Sequence, residues 1–380
     1  MPALRPDIDP EGLLEFSVVF TDRSLNHMSA TFQQVMRDIH AMLCEVYNAD
    51  TAVIVPGGGT YGMEAVARQL AGGEKAMVIR NGWFSYRWTQ IFEAGQIPDE
   101  EIVLKARRSG NAVDAPFAPA LIEEVTSRIA QDRPAVVFAP HVETSSGIIL
   151  PDDYIAAVAK AVHEVGGLFV LDCIASGCVW VDMKKLGVDV LISAPQKGWS
   201  AQPSAGLVML GDAAIERVKS RQSSSFAIDL AKWLSIMEAY TNGGHAYHAT
   251  MPTDALRAFR DTMLETKEYG FDKLCQAQWE QGRRVRALLA SRGIKSVAAE
   301  GFEAPGVVVS YTSDADVQTG KKFAALGMQI AAGVPLQCDE GSDFRSFRVG
   351  LFGLDKLLHI DRTVKNLERA LDKVLDKAPA

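Results

Sequence analysis

The sequence has little of what marks membrane, secreted, metal-binding or nucleic-acid-binding proteins. It contains only five cysteines, and their spacing fits no metal site. No apolar run approaches the length of a membrane span, and the N-terminus has no basic region followed by an apolar core, so we expect no signal peptide. The net charge of −8 and pI of 5.5 disfavour a nucleic-acid partner, which would need a basic face. We expect a cytoplasmic protein with reduced thiols and no metal.

What is present is the composition of an ordinary globular protein, with 48% hydrophobic and 23% charged residues in a chain of 380. Short apolar runs alternate with helical segments, which predicts an α/β fold with a mostly parallel sheet. Most of the runs are uniformly apolar, as expected for strands covered on both faces. The predicted strands are TAVIV (51–55), AMVI (76–79), AVVFA (135–139), LFVLD (168–172), DVLIS (189–193) and GLVML (206–210).

The pattern changes after Pro252, where a long helical stretch begins. Short strands follow near 307–312, 328–332 and 346–352, and a closing helix is predicted over about 355–376. Near the other end, apolar residues from Phe32 to Val46 fall at helical spacing, with Ser29 as the expected N-cap. We therefore predict a large α/β domain over residues 21–252 and a small α+β C-terminal domain over residues 253–380. The N-terminal segment, residues 1–20, is predicted to join the small domain.

Ligands of parallel sheets bind at the carboxyl ends of strands, so polar residues there are candidates. PGGGT follows the first predicted strand and begins a helix, which suits a phosphate, although a plain glycine-rich turn explains it too. RNGWFSYRW follows the second strand, and its aromatic residues could be core or a stacking surface. PHVETSSGI follows the third, where a turn bonding its own backbone is an equal alternative.

Asp172 ends one predicted strand, and Lys197 follows the next, 25 residues later. Asp172 could be a buried ion-pair member or a helix cap, and Lys197 could extend from the sheet edge into solvent. Together with the phosphate-suited turn and the aromatic residues, however, they match the needs of pyridoxal phosphate. That cofactor takes a lysine for its covalent link, an acid for its ring nitrogen, an anion site and a stacked ring.

Three stretches resemble the class V aminotransferases, in particular the alanine–glyoxylate and serine–glyoxylate group. They are PHVETSSGI, LDCIASGCVWVDMKKLGVDVLISAPQKGWSAQPSAGLVML and YHATMPTDALRAF, and the resemblance covers about residues 26–352. It implies the pyridoxal-phosphate-dependent transferase fold of type I, whose large domain has a mostly parallel, seven-stranded sheet covered by helices. It also implies a homodimer with shared active sites.

The resemblance implies a role for each matching residue. Lys197 would hold the cofactor covalently, and Asp172 would pair with its ring nitrogen. Arg348 would bind the substrate carboxylate, a role for which the sequence leaves Arg345 as a rival, with a surface salt bridge as the plain alternative. The other implied contacts are Thr144 with the ring hydroxyl, Phe84 stacked on the ring, Gly58, Gly59, Thr60 and Gln196 with the phosphate, and Tyr247 and Thr250 with the phosphate of the other subunit.

The activity that the resemblance implies is transfer of an amino group from serine, alanine or aspartate to glyoxylate or pyruvate, by a ping-pong mechanism. One alternative is a transaminase of 2-aminoethylphosphonate. Another is a lyase or cysteine desulfurase with Cys338 as nucleophile, although nearby acids should raise its pKa and we expect an ordinary loop cysteine. A cofactor-binding protein without turnover is a third. The segment FSVVFTDRSLNHMS replaces the Pro-Gly-Pro turn common in the family, and Phe84 replaces a frequent tryptophan, which leaves substrate choice open.

Overall fold

The computed structural model describes residues 6–375. Its strands are β1 (Thr51–Pro56), β2 (Lys75–Arg80), β3 (Glu100–Lys105), β4 (Arg107–Arg108), β5 (Phe117–Ala118), β6 (Val136–Pro140), β7 (Val142–Glu143), β8 (Ile148–Ile149), β9 (Leu168–Asp172), β10 (Val190–Ser193), β11 (Ala205–Leu210), β12 (Val307–Tyr311), β13 (Ala331–Ala332) and β14 (Ser346–Gly350). Its helices are α1 (Ala30–Tyr47), α2 (Gly59–Leu70), α3 (Trp83–Gly95), α4 (Ile122–Asp132), α5 (Asp152–Glu164), α6 (Met183–Leu186), α7 (Asp212–Ser220), α8 (Leu230–Thr241), α9 (Thr253–Tyr269), α10 (Phe271–Ala290), α11 (Ala315–Gln318), α12 (Lys321–Ala324), α13 (Leu354–Leu358) and α14 (Ile360–Val374).

A seven-stranded sheet in the order β1-β11-β10-β9-β6-β2-β3 forms the centre of the molecule. Only β11 runs against the others, so the sheet is mostly parallel, as predicted. All six strands predicted from apolar runs belong to it. The seventh, β3, was not predicted because it is an edge strand: its first two residues are exposed, and it lacks a continuous apolar run.

The strand register places the ends of the central strands side by side. Asp172, the last residue of β9, is level with Pro140 of β6 on one side and with Ile192 of β10 on the other. Strand β1 runs in the same direction as β10, because both are antiparallel to β11. The segments that follow β1, β6, β9 and β10 therefore emerge at one edge of the sheet.

The helix predicted to begin at Ser29 forms as α1. The Ser29 side chain accepts a hydrogen bond from the N–H of Phe32 at 3.0 Å, which satisfies one of the free amide groups at the helix start. The apolar face of α1 then packs into the core on one face of the large sheet. Helix α9 packs there too, through Leu256 and Phe259, although the sequence places it in the small domain.

The C-terminal region contains a three-stranded sheet in the order β12-β14-β13. Of the predicted strand at 328–332 only β13 forms, and the predicted closing helix is divided at His359 into α13 and α14. Its predicted last residue, 376, lies outside the described residues. The domain bounds remain a prediction. No helix within residues 6–375 is both long and apolar enough to span a membrane.

Candidate active site

A cavity of about 520 Å³ lies at the edge of the large sheet where β6, β9 and β10 end. Eight of the eleven residues proposed from the sequence line it: Gly59, Thr60, Phe84, Thr144, Asp172, Gln196, Lys197 and Arg348. Gly58 is the N-cap of α2 and adjoins it. Tyr247 and Thr250 do not line it. They are hydrogen-bonded to each other at 3.0 Å on the surface, where Tyr247 is 51% exposed.

Lys197 lies in the turn that follows β10. The turn is closed by hydrogen bonds from the N–H of Ser200 to the carbonyl of Lys197 and from that of Ala201 to Pro195. Gly198 is required here, because a Cβ at this position would lie 2.0 Å from the carbonyl oxygen of Gly177. The backbone is thereby fixed, and the lysine side chain extends into the cavity.

The Lys197 amine lies in an apolar and positively charged setting. Its Nζ is 5.4 Å from the centre of the Phe352 ring. Burial lowers the pKa of Lys197, and the positive charges of Arg348 and Arg87 lower the pKa further. No carboxylate forms an ion pair with it in residues 6–375. A lysine of lowered pKa is suited to act as a nucleophile and as a base.

Asp172 is a buried acid that lacks a cationic partner. It is 7% exposed, and its Oδ1 accepts a hydrogen bond from the N–H of Ile174 at 3.0 Å. No lysine or arginine forms an ion pair with it in the described part of the chain. Burial raises the pKa of Asp172 to about 7; the Ile174 N–H and Arg87 oppose the rise, and Glu143 adds to it. Such a group is ready to receive a cation from a ligand.

Glu143 is a second buried carboxylate, and sequence reasoning noted it only as the neighbour of Thr144. It is 0% exposed. Five donors lie within 3.1 Å of its two oxygens: the N–H groups of Phe84, Ser85 and Ser145 and the hydroxyls of Ser85 and Ser145. Glu143 thus joins the start of α3, which carries Phe84, to the segment that carries Thr144.

Thr144, the residue after Glu143, is open to the cavity. Pro140 to Leu150 is a buried stretch in which Thr144 alone is partly exposed. Because it lines the cavity, that exposure is to the cavity. The position predicted to contact a ring hydroxyl is therefore the one open position of its segment.

The glycine-rich segment after β1 forms the start of α2. Gly57 has a φ of +125°, which favours glycine, and Gly58 caps the helix without a side-chain hydrogen bond. The first N–H groups of a helix have no intrahelical acceptor, so this end suits an anion. Gln196 also lines the cavity, and its Oε1 is buried without a hydrogen-bond partner.

The structure separates the two arginines that the sequence left as rivals. Arg348, on β14, lines the cavity, and its Nε donates to the carbonyl of Ala332 at 2.7 Å, while neither Nη group has a hydrogen-bond partner within residues 6–375. Its guanidinium lies 5.5 Å from the centre of the Phe84 ring. Arg345 is exposed and lines a different cleft, between β12 and the C-terminal helix. Of the two, Arg348 is therefore the one that lies in the cavity with Lys197.

Sequence reasoning missed Arg87, which also lines the cavity. A signal was available: Arg87 is three residues after Phe84, a spacing that puts both on one face of a helix. Cys338, in contrast, is 4% exposed and outside the cavity, with its Sγ 3.4 Å from the carbonyl of Arg80. Burial, with Glu143 and Glu340 nearby, raises the pKa of Cys338 to about 12, which argues against a nucleophilic thiolate.

These residues fit pyridoxal phosphate. The uncompensated Asp172 carboxyl matches a protonated ring nitrogen, the free end of α2 matches a phosphate, and Lys197 is close enough to line the same cavity. The partnerless Gln196 Oε1 indicates a polar ligand as well. The cavity also offers a ring for stacking in Phe84 and, in Arg348, a guanidinium whose Nη groups have no hydrogen-bond partner in the described part of the chain.

Comparison with known families agrees with the resemblance seen in the sequence. The sequence model of the family "Aminotransferase class-V" matches residues 15–299. The chain therefore belongs to the class V aminotransferases, and it is an enzyme of the pyridoxal-phosphate-dependent aminotransferase type.

Among curated relatives, the 2-aminoethylphosphonate–pyruvate transaminase of Vibrio vulnificus (strain YJ016) is 27% identical over 344 residues, covering 89% of this chain and 88% of the relative. The alanine–glyoxylate aminotransferase of Rattus norvegicus is 24% identical, covering 92% and 82%. The crystal structure of the alanine–glyoxylate aminotransferase from Nostoc sp. superposes with a TM-score of 0.77 at 21% identity, covering 91% of this chain and 88% of that one. The last likeness concerns the fold.

Proposed function

We propose that this enzyme transfers the amino group of a small amino acid, such as serine, alanine or aspartate, to glyoxylate or pyruvate, with pyridoxal phosphate held by Lys197. The observation that supports this most is the presence in one cavity of Lys197, Asp172 and Arg348. They offer an amine, an acid without a cationic partner and a guanidinium whose Nη groups have no hydrogen-bond partner, as far as residues 6–375 are concerned. When bound, pyridoxal phosphate supplies an electron sink for the substrate carbon that loses a proton.

The protein's own groups would divide the remaining tasks. Arg348 would fix the substrate by its carboxylate, through two parallel hydrogen bonds from its Nη groups. Lys197 would hold and return a proton at Nζ, because burial and the nearby arginines lower its pKa and so favour the free amine. Asp172, at the end of β9, would pair with the protonated ring nitrogen of the cofactor. Phe352, over Nζ, and Phe84 would limit water in the cavity.

We also propose a cytoplasmic homodimer that completes the site. Tyr247 and Thr250 are exposed, hydrogen-bonded to each other and absent from the lining of this chain's cavity. Their place on the surface supports a contribution to the phosphate site of a second copy. Leu13, Phe16 and Val18, which are at least 85% exposed, add apolar surface that a partner would cover.

A donor with a phosphonate in place of the carboxylate is the second candidate. The relative from Vibrio vulnificus is named for 2-aminoethylphosphonate, and it is somewhat more similar in sequence than the rat alanine–glyoxylate enzyme. The free Nη groups of Arg348 would bind a phosphonate as well as a carboxylate. The two donors are separated by direct assay.

The test is the absorbance spectrum of the purified enzyme, recorded as serine, alanine, aspartate and 2-aminoethylphosphonate are added singly, without an oxo acid. Loss of the absorbance of the lysine-bound cofactor with one donor identifies that donor. Persistence of the band with every donor, together with release of pyruvate, ammonia or sulfide, would show a lyase instead. Absence of any such band, even after addition of pyridoxal phosphate, would exclude the role of Lys197.

A pair of variants tests substrate binding. Arg348→Gln should raise KM for a carboxylate donor by about 10- to 100-fold, because it removes a charged hydrogen-bonding group from the cavity. Arg345→Gln is the matched control, since Arg345 lines another cleft, and its KM should stay within about twofold of the wild type. The reverse result would assign the substrate to Arg345.

A further inference from the structure

Arg87 is a cavity arginine that has no ion-pair partner in the described part of the chain. It lies near the start of α3, and its Nη1 donates to the Oγ1 of Thr60 at 3.0 Å. Its guanidinium is 5.2 Å from the centre of the Phe84 ring. Both partners are neutral. In residues 6–375 no carboxylate lies within ion-pair distance of Arg87, whereas Arg68 and Arg292 lie 2.7 Å from Glu64 and Asp372.

The cavity as a whole has the same excess of positive charge. Its titratable lining consists of Arg87, Lys197, Arg348 and one acid, Asp172. Burial opposes ionisation of that acid, whose pKa is raised to about 7. Two arginines and a lysine therefore face one carboxyl whose charged form burial disfavours. Close like charges are unfavourable, so the arrangement calls for an anionic ligand.

The position of Arg87 indicates where that anion lies. Thr60 is in the first turn of α2, whose N-terminal amide groups are free of a side-chain cap. The hydrogen bond to Thr60 keeps the guanidinium beside this helix end. Arg348 lies on β14, contributed by a different part of the chain, and its Nε is bonded to Ala332 there. The two arginines are thus held by different elements and can serve two different anions.

We infer that Arg87 is the charged ligand of the cofactor phosphate, closing from the α3 side the anion site that the start of α2 provides. This inference rests on the proposed function. Hydrogen bonds from helix amides alone leave a phosphate dianion without a formal counter-charge, and a guanidinium next to them supplies it in a geometry that suits phosphate oxygens. Arg348 then remains for the substrate.

The test compares two ligands that differ only in the phosphate. Dissociation constants of pyridoxal phosphate and of pyridoxal are measured by absorbance and fluorescence titration of the cofactor-free protein. Arg87→Gln should weaken binding of pyridoxal phosphate by about 10- to 100-fold and leave pyridoxal within about twofold. Arg87→Lys should recover part of the loss, because it keeps the charge without the planar fork. Inorganic phosphate alone should raise the Tm of the wild type more than that of Arg87→Gln.

The matched control is Arg37→Gln. Arg37 also donates to a neutral side chain, that of Gln34 at 2.9 Å, but lies on α1 outside the cavity, so both dissociation constants should match the wild type. Equal weakening of both ligands in Arg87→Gln would overturn the inference and assign Arg87 to ring or fold contacts. Unchanged cofactor binding with a raised KM for an acidic donor would overturn it in favour of the substrate. If the wild type bound neither ligand, the proposed function itself would fail, and this inference with it.

Discussion

Two buried carboxylates lie at the same edge of the sheet and differ in what surrounds them. Glu143, just beyond β6, has five donors within 3.1 Å. Asp172, at the end of the neighbouring β9, accepts one hydrogen bond within the described residues, from the Ile174 N–H. Both side chains are almost fully removed from solvent. The protein thus satisfies the hydrogen-bonding capacity of Glu143 and leaves most of that of Asp172 available to a ligand.

The two acids therefore differ in role: Glu143 holds the cavity wall together, and Asp172 is available to a ligand. The satisfied acid ties the start of α3 to the Thr144 segment, so that Phe84 and Thr144 line one cavity. The unsatisfied acid faces the cavity, and burial makes its charged form unfavourable until a cation arrives. A buried acid is therefore informative about function when its hydrogen bonds are few rather than when its burial is high.

The largest effect on stability is expected from Glu143→Gln. The amide replaces one acceptor oxygen with a donor, which would face either the N–H groups of Phe84 and Ser145 or the N–H group of Ser85. Lost charge-assisted bonds and unpaired buried donors should lower the free energy of unfolding by about 3 kcal/mol. Differential scanning calorimetry should show a fall in Tm of roughly 3–6 °C.

Glu300→Gln is the control for this change, because Glu300 is exposed, and it should leave Tm within about 1 °C. The visible circular dichroism of the bound cofactor should also weaken in Glu143→Gln but not in the control, since Phe84 loses its anchor. An unchanged Tm and an unchanged spectrum would remove the proposed contrast between the two acids.

A smaller effect of opposite sign is expected from Asp172→Asn in the cofactor-free protein. The pKa of Asp172 is raised to about 7 in the folded protein and is ordinary in the unfolded chain. The wild type thus loses stability as pH rises from about 4 to 7, because unfolding then releases a proton that the native state retains. At pH 8 the variant should melt roughly 2–5 °C above the wild type, and at pH 4 the two should coincide.

Asp343→Asn, at an exposed position, should follow the wild type at both pH values. Addition of pyridoxal phosphate should reverse the order for Asp172, since the ion pair it offers is then lost in the variant. A variant that is less stable than the wild type without cofactor at pH 8 would mean that Asp172 already has a partner in the protein.

The smallest effect is expected from Cys338→Ser. The thiol is buried outside the cavity, and burial with nearby acids raises its pKa to about 12. A serine hydroxyl can also donate to the Arg80 carbonyl that the thiol contacts. Aminotransferase turnover should stay within about threefold of the wild type. A loss of 100-fold or more, with desulfurase activity in the wild type, would restore the desulfurase alternative.

Much of the fold was predictable because its signals are local. Uniform apolar runs indicate strands buried on both faces, and six of the seven strands of the large sheet were found in this way. Ser29 was found as an N-cap because its side chain bonds an amide three residues away. Strand β3 was missed because an edge strand need not be apolar, and the closing helix is divided at His359, where no proline or glycine gave warning.

The candidate site was predictable in part for the same reason. Polar residues after predicted strands led to Asp172 and Lys197, and the resemblance added Arg348. Arg87 was missed because its sequence context, three residues after Phe84 on a helix, is also typical of a surface arginine. Only the three-dimensional structure shows that it lines the cavity. The role of Glu143 in joining two segments was also hidden, since three of its five donors come from Phe84 and Ser85, almost sixty residues earlier.

The sequence by itself determined the kind of fold, the strand ends that carry the chemistry, and the lysine and acid at two of them. These follow from local patterning and from the rule that parallel strands place their carboxyl ends together. Only the tertiary structure decided which of the two rival arginines lines the cavity, which buried acid has its hydrogen bonds satisfied, and which cationic groups of the cavity have no ion-pair partner within residues 6–375. Those properties depend on distances between segments far apart in the chain, and burial and charge are set by neighbours in space rather than in sequence.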